Sequence, residues 1–434
     1  MKLVFGEGGM KRRFELLKLM LAVSMVLGPL VAAAGASAAP AVNGTFPTTG
    51  TPSRIIHGPD GNVWFGLAGS IDANEFGRIA PDGTVTEFDT PNDQQVAGLT
   101  VGPASVGGPR DQIWMAQAGA VVRWDPFVAS GDVFPVPELN GPRGIVADRD
   151  GYIWVVDDND GLIRLDPATG STPVEVLVAG SGGRGITVGG DGALWWADFG
   201  QGTINRTLAR SPWTTTSVAV GGGPQEVAAG VGRQIGFTNR GAFPHQVGRL
   251  FPPTSFTSLE VPDTDPFGIA LGSDRNYWIA NFLSNDLGRL TGSGSYSRPV
   301  TFVPGSGPRY VTAGQPGTLW VSLETSGQIA RVTGVPEVRA SGPRIRALRA
   351  VMRERRLRVS FRLLRQATVR LTVERRRGPV FRTVRTRTVR AARGQNRVSA
   401  GILSPGRYRV RVRATYRNET GSPVAVRAFR IARR

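Results

Sequence analysis

The chain has 434 residues, a formal net charge of +19 at pH 7, 58 Gly, 31 Pro, two His and no Cys. That length suggests two or three domains, and the absence of Cys excludes disulfides and thiolate metal sites. Two histidines, His57 and His245, leave little room for histidine-based catalysis or zinc binding.

Abundant Gly and Pro with ordinary apolar content point to many turns between short buried strands rather than to disorder. The charge is unevenly distributed. Residues 340–434 hold 28 Arg and three Glu, about +25, whereas residues 39–339 hold 19 Arg against 28 acids, about −9. An acidic body followed by a strongly basic tail is itself a sign of two domains.

At the N-terminus, MKRRFELLK (10–18) is basic, LMLAVSMVLGPLVAAAGA (19–36) is apolar, and Ala36-Ser37-Ala38 fits the small-x-small cleavage rule. Residues 1–38 therefore read as a secretory signal peptide. Pro29 and the Ala-rich end argue against a retained membrane span, so the mature form is expected outside the cytoplasm with no transmembrane segment and no nucleic-acid partner.

From residue 39 onward the sequence repeats. Trp64, Trp114, Trp154, Trp195, Trp278 and Trp320 sit in matching segments such as GPRGIVADRDGYIWVVDD (141–158), and Gly236 fills the corresponding place in QEVAAGVGRQIGFTN. Successive anchors are 50, 40, 41, 41, 42 and 42 residues apart, the long first step absorbing an insertion around 102–110. Each copy reads as an apolar strand, a turn, a Trp strand, a third strand of GRI type and often a fourth such as TVTEFDTP (84–91). Four short strands in about 42 residues is the spacing of a propeller blade, which must stack on neighbours to bury both faces. Seven anchors predict a seven-bladed β-propeller over 39–336, closed by Asn43–Thr48 pairing with the seventh blade.

The pattern GP-x-GI…DG-x-lWF…GRI…TEF resembles the virginiamycin B lyase (streptogramin lyase) family of seven-bladed propellers, and NHL-like propellers share part of it. The resemblance implies opening of a cyclic depsipeptide lactone by elimination. It further implies histidines after Pro in the last two blades, a magnesium-binding glutamate near the end, and another glutamate just before Pro in the last blade. Here those histidine slots hold Phe267 and Arg309, one glutamate slot holds Gly307, and only Glu324 remains. Phe accepts no proton, Arg stays protonated, and one carboxylate makes a poor magnesium site. The residues thus favour binding over catalysis.

Two slots should ring one mouth of the channel, because the start of the first strand and the end of the second lie at the same end of a blade. Eleven before the Trp stand Arg143, Arg184, Gln225, Phe267 and Arg309; three after it stand Asp157, Asp198, Asn239 and Asn281. The predicted ligand-binding set is Arg143, Asp157, Arg184, Asp198, Gln225, Asn239, Asn281 and Arg309, taking a small ligand or peptide. The alternative is a divalent-metal-dependent lyase or lactone hydrolase, in which Glu324 binds Mg2+ or acts in catalysis and His245, on a loop at the same mouth, supplies a base. The Asp-Gly pairs at 60, 82, 150 and 191 read as hairpin turns rather than metal ligands.

The Arg-rich segment 340–434 carries strand-like runs at 357–364, 367–374, 379–390, 406–416 and 424–431. About seven strands in some 90 residues predict a small basic β-sandwich, and LSPGRYRVRVRATY resembles the penultimate strand of bacterial immunoglobulin or fibronectin-type modules. In GRYRVRVRA the period is two. Tyr408, Val410, Val412 and Ala414 then face the core, and Arg407, Arg409, Arg411 and Arg413 face out, able to meet anionic surface polymers.

Overall fold

The computed structural model describes residues 39–434 except 70–74, 104–110, 160, 168–173, 177–181, 339–344, 354–355, 364–365, 378–379, 416–424 and 432–434. The proposed signal peptide lies outside the described residues, as does most of the insertion around 102–110. The protein is all-β: every regular element among the described residues is a strand.

Seven four-stranded antiparallel sheets account for 41–333 among the described residues. The innermost strand of each sheet lies beside the innermost strand of the next, and the seventh returns to the first. This is a β-propeller ring. The third blade shows the pattern: Pro142–Ala147, Ile153–Asp157, Gly161–Leu165 and Val174–Val176 pair in chain order. The seventh differs, because its outermost strand is the first in the chain. Ala41–Pro47 pairs antiparallel with Gln328–Thr333, Ala41 opposite Thr333 and Pro47 opposite Gln328, and the Thr48 amide adds a bond to Gly327 O at 3.0 Å. The ring therefore closes through hydrogen bonds.

Alternation along the second strand explains why the blades stack. Trp64 faces blade two, packing with Leu99, Ile113 and Met115, while Phe65 faces blade seven beside Trp320 and Ile329. Each blade thus buries both faces, and the six repeat Trp are 0–4 % exposed. The same frame recurs around the Trp. Its indole N–H donates to a turn carboxylate at 2.9–3.2 Å in four blades: Asp60, Asp148, Asp191 and Asp274. The Arg of the third strand stands over the ring, as Arg78, Arg206 and Arg289 do. The Asp residues read as turn formers do form turns, but Asp60 and Asp191 also anchor the indole, and in blade three Asp148 does so rather than Asp150.

Gly236, the one anchor that is not Trp, has a packing reason. A Cβ there would lie 2.6 Å from the Tyr277 ring, so a tyrosine from blade six occupies the space that other blades fill with their own side chain.

Beyond 344, two further sheets share one apolar core. Arg346–Arg353, Arg356–Leu363 and Gly394–Ile402 form a three-stranded sheet. Val380–Ala391, Ala367–Arg377, Gly406–Thr415 and Ala425–Ile431 form a four-stranded one. Leu357, Val359 and Phe361 of the first sheet meet Val369, Leu371, Val410 and Val412 of the second. The period-two reading of GRYRVRVRA holds: Tyr408, Val410, Val412 and Ala414 are buried, and the Tyr408 hydroxyl donates to Ser404 O at 2.8 Å.

Candidate functional site

Six of the seven inner strands begin with Pro or Gly and the first begins Thr51-Pro52, and in six of the seven a register shift follows that Pro or Gly, as between Pro142 and Gly144 or Pro224 and Glu226. The bulge turns the residue after the Pro or Gly into the channel. Ser53, Arg143, Arg184, Gln225, Phe267 and Arg309 all line one cavity of about 390 Å³, together with Arg54, Phe199, Arg240, Tyr310 and Glu324. The first predicted slot is therefore at the mouth.

The second slot is not, and this corrects the sequence reading. Asp157, Asp198, Asn239 and Asn281 are 0–1 % exposed. Asp157 lies opposite Pro142 in the ladder, and its side chain turns into the loop that enters the blade. Its carboxylate accepts from the Gly141 amide at 2.8 Å and the Asn159 amide at 2.9 Å. Asp198 takes the Gly182 and Gln201 amides, and Asn239 takes the Gly223 amide while donating to Gly221 O. Asn281 donates to Asp286 and Tyr296. The first three clasp the loop that enters their own blade and present nothing to a ligand.

The mouth acids come one residue later. Asp158 receives Arg143 at 2.8 Å and Arg184 at 2.6 Å, linking blades three and four. Burial works to raise the Asp158 pKa, but the hydrogen bonds and charges of Arg184 and Arg143 outweigh it and hold the carboxyl below the usual carboxylate range. Arg240, also in the later slot, pairs with Asp265 at 2.8 and 2.9 Å. Asp158, Arg240 and Asp265 were missed by sequence reasoning, although Glu324, in the same later slot, was the signal that could have found two of them.

Aromatic rings join the cations. Phe267 lies between Arg240, 4.6 Å from its centroid, and Arg309, 4.3 Å from it, and meets Tyr310 edge-on at 5.4 Å. Arg184 stands over Phe199 at 5.4 Å. Such guanidinium–ring contacts keep the Arg side chains extended across the cavity floor.

Below this layer an ion pair crosses the channel. Arg54 of blade one reaches Glu226 of blade five at 2.6 Å, donates to Arg143 O at 2.8 Å and lies 4.5 Å from the Tyr310 ring centroid. Burial disfavours the Arg54 charge, but Glu226 and Tyr310 outweigh it and hold the guanidinium protonated. Gly185 makes room for the partner: a Cβ there would lie 2.2 Å from Glu226 Oε2. Arg54 and Tyr310 also border a second cavity of about 290 Å³ deeper in the channel, so this layer separates the mouth from the interior. Neither Arg54 nor Glu226 was singled out from the sequence.

The residues proposed for catalysis are already engaged. Arg309 donates to both carboxylate oxygens of Glu324. A magnesium ion needs that carboxylate, and a bound guanidinium opposes a second cation there; no group of three or more potential ligands occurs among the described residues. The site does not fit magnesium. His245 accepts the Asp265 amide on Nδ1 at 3.0 Å, and its carbonyl accepts from Val261 at 2.7 Å. A neutral ring with Nδ1 accepting carries its proton on Nε2 and has no free lone pair for a base.

The sequence signature of the Virginiamycin B lyase family matches residues 169–341. A streptogramin B lyase structure aligns over 67 % of this chain and 96 % of its own, with a TM-score of 0.58 and 23 % identity. This chain carries a virginiamycin B lyase-like β-propeller. Virginiamycin B lyase from Staphylococcus aureus gives the same TM-score at 22 % identity, over 67 % and 98 % of the two chains. The WD40 domain of Neurospora crassa Pan2 matches at 0.55 and 10 % identity, over 70 % and 98 %. At these identities the likeness is one of fold. No curated protein sequence matches the chain.

Proposed function

We propose that this is an exported binding protein. Its virginiamycin B lyase-like propeller recognises a small ligand or peptide at the channel mouth, and its basic two-sheet module contacts anionic surface polymers. One observation carries the first part: the slot that would hold a base in the lyase pattern holds Arg309, and Arg309 closes on the one carboxylate that could take the metal. What the mouth offers is guanidinium groups with aromatic faces, which suit a ligand bearing a carboxylate or another planar anion. Such an anion would compete with Asp158 and Glu324 for Arg143, Arg184 and Arg309. Export rests on the N-terminal basic and apolar pattern. No helix among the described residues is long and apolar enough to cross a membrane.

The test is an assay of lactone antibiotics with and without magnesium, alongside thermal-shift screening of anionic peptides. Binding without turnover is expected, with the shift lost in Arg184→Ser and Arg309→Ser. Metal-dependent turnover that disappears in Glu324→Ala would overturn the binding reading in favour of the lyase.

A further inference from the structure

The outer face of the three-stranded sheet carries an arrangement that packing does not require. Leu357, Val359, Phe361 and Leu363 of the central strand point into the core, so Arg356, Arg358, Ser360 and Arg362 point out. In the ladder Ser360 lies opposite Arg349 on one side and Arg397 on the other. Arg358 and Arg362 are its neighbours two residues away along the strand. Four Arg side chains therefore spring from the positions around one serine, with Cβ atoms at about 5 Å across the sheet and about 6.6 Å along it. Arg346, opposite Arg362, and Arg356 extend the strip at its two ends.

All six Arg are exposed, and none has a side-chain hydrogen bond, ion pair or ring contact. Like charges set directly opposite, as Arg346 and Arg362 are, destabilise a sheet. The four-stranded sheet is different: there Glu374 takes Arg409 and Arg411. Among the described residues Glu374 is the one acid of this module.

We infer that the outer face of the three-stranded sheet, centred on Ser360, is the binding surface for a linear phosphodiester polymer. A phosphate over Ser360 can receive a hydroxyl donor and up to four guanidinium groups, and the strip supplies more charge than a single phosphate needs. Three strands give a face about 10 Å wide and, at eight residues, about 25 Å long, which suits a chain lying along the strands. The face has no aromatic side chain to stack bases, which argues against single-stranded nucleic acid. Nor has it an aromatic anchor for a membrane. The inference rests on the polymer contact proposed above and assigns it to one face.

The experiment uses the full chain from residue 39, with poly(glycerol phosphate) as the probe over a range of salt. The expected result is binding that weakens with salt. In the combined variant Arg349→Gln, Arg358→Gln, Arg362→Gln and Arg397→Gln, affinity should fall at least tenfold and the log–log salt slope should decrease by about three. The matching Arg→Lys variant keeps the charge, reports on folding and should retain most of the slope. Arg370→Gln, Arg390→Gln, Arg407→Gln and Arg413→Gln on the other sheet should cost no more than threefold. Equal losses in the two Gln variants would overturn the face assignment alone. Absence of polymer binding would overturn both it and the underlying contact. Tighter binding to phosphatidylglycerol vesicles than to the polymer would replace the polymer with a membrane surface.

Discussion

Asp157 and Asp158 are adjacent and chemically identical, yet one is a buried clasp and the other a mouth residue. The difference is the end of a strand: Asp157 is its last residue, held against the entering loop, and Asp158 is the first residue of the turn beyond it. Asp198 tests the clasp. It gathers two backbone amides on one oxygen at a fully buried position, so Asp198→Ala should destabilise by about 2–4 kcal/mol in urea unfolding. Asp198→Asn keeps an acceptor oxygen, as Asn239 does in the next blade, and should cost under about 1 kcal/mol. Equal costs would mean that the charge, not the acceptor, matters.

Asp158 belongs to a different test. Its folded-state pKa is depressed, so its contribution to stability is present above the ordinary Asp value of roughly 3.9 and is lost as pH falls through the folded value. The melting-temperature gap between the parent and Asp158→Asn should be constant from about pH 7 to 5 and close by about pH 2. A gap unchanged at the acid end would show that it does not come from the carboxylate charge.

At the scale of the element, the repeat made blades and inner-strand slots legible from the sequence alone. Six Trp and one Gly at nearly constant spacing placed seven copies, and the residue after Pro or Gly was correctly set at the mouth. Two things were not legible. The second strand ends at the clasp residue, as at Asp157, and the residue that reaches the mouth lies in the turn just beyond, so counting three from the Trp put the second slot one residue early. The Arg54–Glu226 contact joins blades that are distant in sequence and not adjacent in the ring, and no local pattern announces such a pair. In the basic module, alternation read correctly which residues of GRYRVRVRA are buried. It did not single out the barest cationic face, because that depends on which strands pair.

The cross-channel pair makes its own prediction. Removing one partner leaves the other charge buried, so Glu226→Gln should cost about 3–5 kcal/mol. Replacing both, as Arg54→Met with Glu226→Leu, should recover most of that. A double replacement as damaging as the single one would indicate that the pair holds blades one and five by more than charge balance.

For the whole molecule, the seventh blade is completed by residues that precede the first blade in the chain. Deleting residues 39–47 would leave Gln328–Thr333 with an open ladder of amides and carbonyls, a template for pairing with another copy. Such a variant should form oligomers in sedimentation velocity at concentrations where the parent has a single species. A monomer of unchanged melting temperature would show that the closure is dispensable.

The pairing of Ala41 with Thr333 also brings the beginning and the end of the ring side by side. A short covalent bridge between those ends would leave the ring no privileged starting blade. The chain could then be cut open in any exposed loop between blades, and the rearranged sequence would have the same seven sheets to build. Chain order is thus a property of this polypeptide that its propeller does not need, and a circularly rearranged form offers a scaffold in which the mouth faces the same way while the ends emerge elsewhere on the rim.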